Sequence, residues 1–390
     1  MQPDLSYILT HLGEDRELYF GAVAPPIVQT SNFAFKTVAE MRNVFQDEMS
    51  EYVYSRGLNP TVDILRKKLA ALDGAEDCLV FNSGAAAIFA GVLAFVKSGD
   101  HIISVEKPYS WAQKMFDVVL PRFGVTTTYV DGRTLESFEA ARQPNTSFIY
   151  LESPNSWNYA IQPLAQVAQL AKQHNITTLI DNSYCSPLYQ RPIELGIDLV
   201  MQTATKYISG HSDTLGGLLT GSHSRIKQIF DSEYLNIGSG IQPFNAWLLL
   251  RGLRTLPARI DRITRSTQKV LHFFKQHPAI DSFLFPLDPS FPQYALAREQ
   301  MQGACGLITI SLTGGTEEKI IRFCESLKRF LMAVSWGGHE SLVIPKCAGL
   351  PEGNFDAANP EHQWIRVYVG LEEPEYLIED LEQALNAINT

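Results

Sequence analysis

From Cys78 to Thr203 short apolar runs alternate with segments whose apolar residues recur at helical spacing. The runs are Cys78–Phe81, His101–Val105, Val125–Val130, Phe148–Glu152, Thr177–Asp181 and Asp198–Thr203, and helices are predicted over Ala85–Lys97, Trp111–Phe123 and Ala165–His174. Several runs are apolar throughout rather than alternating, which marks strands buried on both faces. Together these signals predict an α/β fold with a mostly parallel sheet covered by helices on each side. A further helix over Thr61–Leu72, ending at Gly74, precedes it. After Gly221 the alternation stops. Long helices follow over Pro243–Arg251 and about 258–277, then a proline-rich connector from Pro286 to Pro292. Signals over Gly306–Leu312, Ile320–Leu331, Trp364–Leu371 and Tyr376–Ile388 predict a smaller C-terminal α+β domain. The expected organisation is an N-terminal arm (1–60) with little core of its own that lies against a neighbouring subunit, a large domain (61–255) and a small domain (256–390).

Composition narrows the class of partner. Over 390 residues the net charge is −10, without the basic footprint of a nucleic-acid-binding chain. No uncharged run approaches the ~18 residues of a membrane span, and the first residues show no secretory signal. The five cysteines fall at no metal or disulfide spacing and read as reduced thiols in a core. The expectation is a cytoplasmic enzyme or binding protein with no metal, no nucleic acid and no membrane partner.

In open parallel sheets ligands bind at the carboxyl ends of the strands, and three polar signals fall there. Lys206 follows the sixth run within Thr203-Ala-Thr-Lys-Tyr207-Ile-Ser-Gly-His-Ser-Asp213, where burial disfavours a charged amine and favours a nucleophilic one. The neighbouring hydroxyls of Thr203 and Thr205 suit a phosphate. Asn82-Ser83-Gly84-Ala85 joins a strand to a helix, whose N-terminal amides form an anion seat. Asp181 ends a strand and could keep a heteroaromatic nitrogen protonated. Singly, these are a strand cap, a tight turn and the start of a loop. Jointly, a lysine for a Schiff base, an anion seat and a carboxylate are what pyridoxal phosphate needs. The chain lacks G-x-G-x-x-G at this turn and has no P-loop, so nucleotide binding is not supported.

The pattern around Lys206 resembles the Cys/Met-metabolism family of pyridoxal-phosphate enzymes, which have the fold type I, transferase-like architecture. Supporting matches are His11, Pro25-Pro-Ile27, Tyr54-Ser-Arg56-Gly-Leu-Asn-Pro-Thr61, Asn82-Ser-Gly-Ala-Ala-Ala-Ile88, Tyr109, Asp181-Asn182 and Gly337-Gly-His-Glu-Ser-Leu342. The resemblance implies that Lys206 anchors the cofactor covalently and moves protons at the substrate, that Asp181 pairs with the pyridinium nitrogen, and that Tyr109 stacks on the ring and assists with protons. It places phosphate contacts at the Gly84 and Ala85 amides, Thr203 and Thr205, with Tyr54 and Arg56 donated by a neighbouring subunit of a homotetramer. Arg366, in Trp364-Ile-Arg-Val-Tyr, is implied to grip the α-carboxylate of a small amino-acid substrate.

Smaller differences bear on the reaction. Trp336 after Ser335, Ser156 in Glu152-Ser-Pro-Asn-Ser156, and Tyr234 resemble the pattern of cystathionine β-lyases, with all four residues implied to face the substrate. The expectation is β-elimination from L-cystathionine or another S-substituted cysteine, giving a thiol, pyruvate and ammonia. The alternative is a γ-lyase or γ-synthase of the same family. Lys114 departs from the acidic residue expected near the distal amino group of cystathionine.

Overall fold

The computed structural model describes residues 4–388. The chain forms two compact units. One comprises Met1–Ser153, Ala160–Ser209 and Asp213–Arg254; the other comprises Pro154–Tyr159, Gly210–Ser212 and Thr255–Thr390. Two short segments, 154–159 and 210–212, therefore travel with the second unit, whereas the sequence assigns them to the large domain.

The first unit is built on a seven-stranded sheet of β1 (Asp77–Phe81), β2 (His101–Val105), β3 (Thr126–Val130), β4 (Thr146–Glu152), β5 (Thr177–Asp181), β6 (Leu199–Gln202) and β7 (Gly217–Gly221), in the order β1-β7-β6-β5-β4-β2-β3. The apolar runs read from the sequence are these strands, to within a residue or two. Their continuous apolar character has the expected cause. Along β4, Phe148 and Tyr150 enter one core with the helix Gly84–Leu93, while Ile149 and Leu151 enter a second core with the helix Leu164–Gln173. Full burial of each such side chain contributes about 1.5–3 kcal/mol.

Strand β7 is the element the sequence did not disclose. It runs antiparallel to both β1 and β6, so a loop suffices to bring the chain into it and no crossover helix announces it. It is also bounded by glycines, which local propensity counts against a strand. Gly217 is needed for close approach: a Cβ there would overlap the Ser83 carbonyl.

The arm belongs to the first unit and is pinned by buried charge. Lys68 donates to the carbonyls of Ile8 (2.8 Å) and Leu9 (3.2 Å) and pairs with Glu14 at 3.1 Å. Beyond that anchor, Leu18 and Phe20 are 82% and 104% exposed.

The second unit carries a five-stranded sheet of β8 (Ile280–Leu284), β9 (Leu307–Leu312), β10 (Leu331–Met332), β11 (Leu342–Pro345) and β12 (Ile365–Tyr368), ordered β10-β11-β12-β9-β8. All its pairings are antiparallel except β10 with β11. The helix Pro374–Ala387 packs on both Leu256–Gln276 and Glu317–Ser326. All five cysteines are buried. Among the described residues no helix is long and apolar enough to cross a membrane.

Candidate active site

In the first unit the carboxyl ends of β5 and β6 and the start of the helix Gly84–Leu93 form one cradle. Ser83 caps that helix, its Oγ accepting from the Ala86 amide at 3.1 Å. The amides of Gly84 and Ala85 make no hydrogen bond within the described residues, so the first turn presents donors and a positive dipole end. A Cβ on Gly84 would stand 2.8 Å from Thr203 Cβ. Only glycine lets the helix start this close to the loop carrying Lys206.

Asp181 closes β5 and is 7% exposed. Burial raises its pKa, to about 6, against the opposing pull of Ser183 and Lys206. A buried carboxylate that water no longer stabilises as an anion calls for a cationic partner, and a protonated ring nitrogen is one. Tyr109 is half-exposed, with its amide donating to Glu152 Oε2 at 2.6 Å. Its phenol pKa is raised by burial and by the charge of Asp181. Lys206 lies in the turn after β6, its amide on the Thr203 carbonyl at 3.3 Å. Thr203 and Thr205 both direct their hydroxyls to the Gly216 carbonyl at 3.3 Å.

Ser183, absent from the residues expected at the site, joins these parts. Its amide donates to Asp181 Oδ1 at 2.9 Å and its Oγ accepts from the Thr203 amide at 2.7 Å. One serine thus orients the carboxylate and ties the loop of Lys206 to it. The signal was present as the Asp-Asn-Ser turn, but its second partner lies twenty residues on. Free helix-start amides, a close-packed glycine, a buried carboxylate and a lysine together fit pyridoxal phosphate.

Tyr54 and Arg56 are exposed, the Arg56 guanidinium 5.6 Å from the Tyr54 ring centroid, and among the described residues neither bonds to this cradle.

The second unit holds Arg366, 7% exposed on β12. Its Nη1 donates to the Ser156 carbonyl at 3.2 Å and its Nη2 to the Ser335 carbonyl at 3.4 Å. Ser335 has φ 81°, a left-handed conformation that costs a non-glycine residue about 1–3 kcal/mol. Trp336 beside it is buried. In these bonds Ser156 and Ser335 serve Arg366 through backbone oxygen, which any residue would supply.

Tyr234 requires a correction. It is 1% exposed, wedged between Phe81 (5.1 Å, edge-on) and Phe230 (5.7 Å, stacked), and its hydroxyl donates to the Val80 carbonyl at 2.9 Å. The tyrosine fills the core of the first unit and presents no face to a substrate.

Comparison with known proteins agrees with this geometry. The family model for Cys/Met metabolism PLP-dependent enzymes matches residues 7–386. An L-methionine gamma-lyase of Treponema denticola is 36% identical over 97% of this chain and 96% of its own length. A cystathionine gamma-lyase of Bacillus subtilis is 33% identical over 98% of this chain and 99% of its own. The crystal structure of cystathionine gamma-lyase from Lactobacillus plantarum complexed with L-serine superposes with a TM-score of 0.90 at 32% identity, covering 99% of this chain and 100% of that one. With the lysine, carboxylate and anion seat at the strand ends of a fold type I architecture, the chain belongs to the Cys/Met metabolism family of pyridoxal-phosphate-dependent enzymes.

Proposed function

We propose that the protein is a carbon–sulfur lyase of the γ type, acting on a sulfur amino acid such as L-methionine or L-cystathionine. The observation that carries the γ assignment is its full-length similarity to proteins named methionine and cystathionine γ-lyases. Bound in the cradle, pyridoxal phosphate would supply an electron sink for the charge left when a proton leaves the substrate Cα. Lys206, tethered beside that carbon, removes the proton and can return it elsewhere on the substrate. Asp181 would hold the ring nitrogen protonated, Ser183 keeps Asp181 in place, and the Gly84 and Ala85 amides would hold the phosphate together with Thr203 and Thr205, whose hydroxyls would turn to it from the Gly216 carbonyl. Tyr109 would cover the ring. Arg366 grips the α-carboxylate through its planar fork. A second copy of the chain supplies Tyr54 and Arg56, a reading supported by their exposure and by the exposed apolar residues of the arm.

A second reading, β-elimination, rests on the residue type of Trp336, a tryptophan after Ser335 that resembles the β-lyase pattern. Ser156, which bonds Arg366 through its backbone, and Tyr234, a core residue, lend it no further weight. Product analysis with L-cystathionine separates the two. Cysteine with 2-oxobutyrate and ammonia is expected; homocysteine with pyruvate and ammonia would replace the γ reading by the β one. L-Methionine assayed alongside should give methanethiol, 2-oxobutyrate and ammonia if it is a substrate.

A further inference from the structure

Trp157, which no motif singles out, supports Arg366. The guanidinium carbon lies 4.7 Å from the centroid of the indole. The tryptophan is itself restrained three ways. Its amide donates to Asn155 Oδ1 at 2.9 Å, its carbonyl accepts from Thr309 Oγ1 at 2.8 Å, and Lys346 Nζ stands 4.4 Å from the same ring. Thr309 is the register partner of Arg366 across β9 and β12. The strand beside the arginine therefore also fixes the platform on which the arginine rests.

A guanidinium recognises a carboxylate through two parallel hydrogen bonds, which demands that its plane be held as well as its position. The Ser156 and Ser335 carbonyls bind it at nitrogen atoms in that plane. The indole attracts the cation through its π-face. We infer that Trp157 is a positioning residue for substrate recognition: it fixes Arg366 so that an amino acid with a free α-carboxylate is preferred over its amide. The inference rests on Arg366 being the carboxylate's partner.

The test uses the cofactor-loaded enzyme and two probes that differ in that group, glycine and glycinamide, with binding followed by the absorbance of the bound cofactor. KM and kcat are measured separately with whichever of L-methionine or L-cystathionine is turned over. Trp157→Leu is expected to raise KM about tenfold and to lower the preference for glycine over glycinamide about tenfold, with kcat within twofold of wild type. Trp157→Phe, which keeps a π-face, should recover most of both. Arg366→Lys should lose more than Trp157→Leu, and adding Trp157→Leu to it should lose little further. Thermal unfolding is recorded for each variant, and Trp157→Met decides if the leucine variant does not fold. An unchanged KM and glycine preference in Trp157→Leu, with both lost in Arg366→Lys, would overturn the inference and leave the Arg366 reading intact. An Arg366→Lys enzyme that still prefers glycine would overturn both.

Discussion

The two units hold their chemical groups by opposite means. In the first, the cradle stands at the ends of parallel strands buried on both faces, and its geometry is set by close approach of the backbone: Gly84 against the Thr203 side chain, Gly217 against the Ser83 carbonyl, and backbone amides bonded to Asp181 Oδ1 and Ser183 Oγ where Ser183 bridges two strand ends. In the second, Arg366 lies within an antiparallel strand and is held by stacking on Trp157 and by two carbonyls from segments 210 and 31 residues away. Backbone contact is stiff because interiors are close-packed. Arg366 is held instead through its own guanidinium, whose position and plane the indole and the two carbonyls fix.

The contrast can be broken or sharpened experimentally. Lys206→Ala should cost about 10⁴-fold or more in turnover and abolish the absorbance band of lysine-bound cofactor; substantial activity in that variant would place the base elsewhere. The next effect concerns Asp73, fully buried under β6 and β7, whose carboxylate accepts from Gln202 Nε2 and Thr220 Oγ1, each at 2.7 Å. Burial raises its pKa to about 7. The folded state thus binds this proton more tightly than the unfolded chain. The associated stability is fully present below the unfolded carboxylate pKa of about 3.8 and is lost as pH rises through about 7. Asp73→Asn should remove this dependence, gaining on wild type by the order of a few kcal/mol between pH 4 and 8. Denaturant unfolding at several pH values checks it, and parallel curves for the two proteins would refute it.

Gly217→Ala tests the stiffness of the cradle. The added methyl should cost about 1–3 kcal/mol of stability and weaken cofactor affinity in dialysis. Stability lost with affinity intact would show that the contact serves the fold alone. The smallest effect is expected for Tyr234→Phe: about 1 kcal/mol for the lost bond to Val80, with kcat and KM within twofold of wild type. A KM rise at unchanged stability would return Tyr234 to the substrate site. By contrast, the Trp157 variants of the second unit should move KM with little change in unfolding temperature.

Legibility in the sequence followed the range of the interactions. Six strands of the first sheet, its covering helices and the trio Lys206, Asp181 and Gly84 could be read because each depends on local periodicity, or on a residue type at the end of a strand. β7 escaped because glycines demanded by packing, Gly217 against Ser83 and Gly221 against Asp198, erased its propensity signal. Tyr234 was misassigned because a motif position says which residue is present and not which face of a helix it occupies. Segments 154–159 and 210–212 fell to the other unit because spatial membership is decided by contacts far along the chain.

By itself, then, the sequence determined the parallel α/β architecture, the family and the cofactor, since these follow from short-range pattern and residue chemistry. Only the tertiary structure decided that Ser183 links Asp181 to Thr203, that Ser156 and Ser335 hold Arg366 by their backbones, and that Trp157 lies against it. Those relations join residues 20 to more than 200 positions apart, and packing rather than sequence spacing brings them within bonding distance.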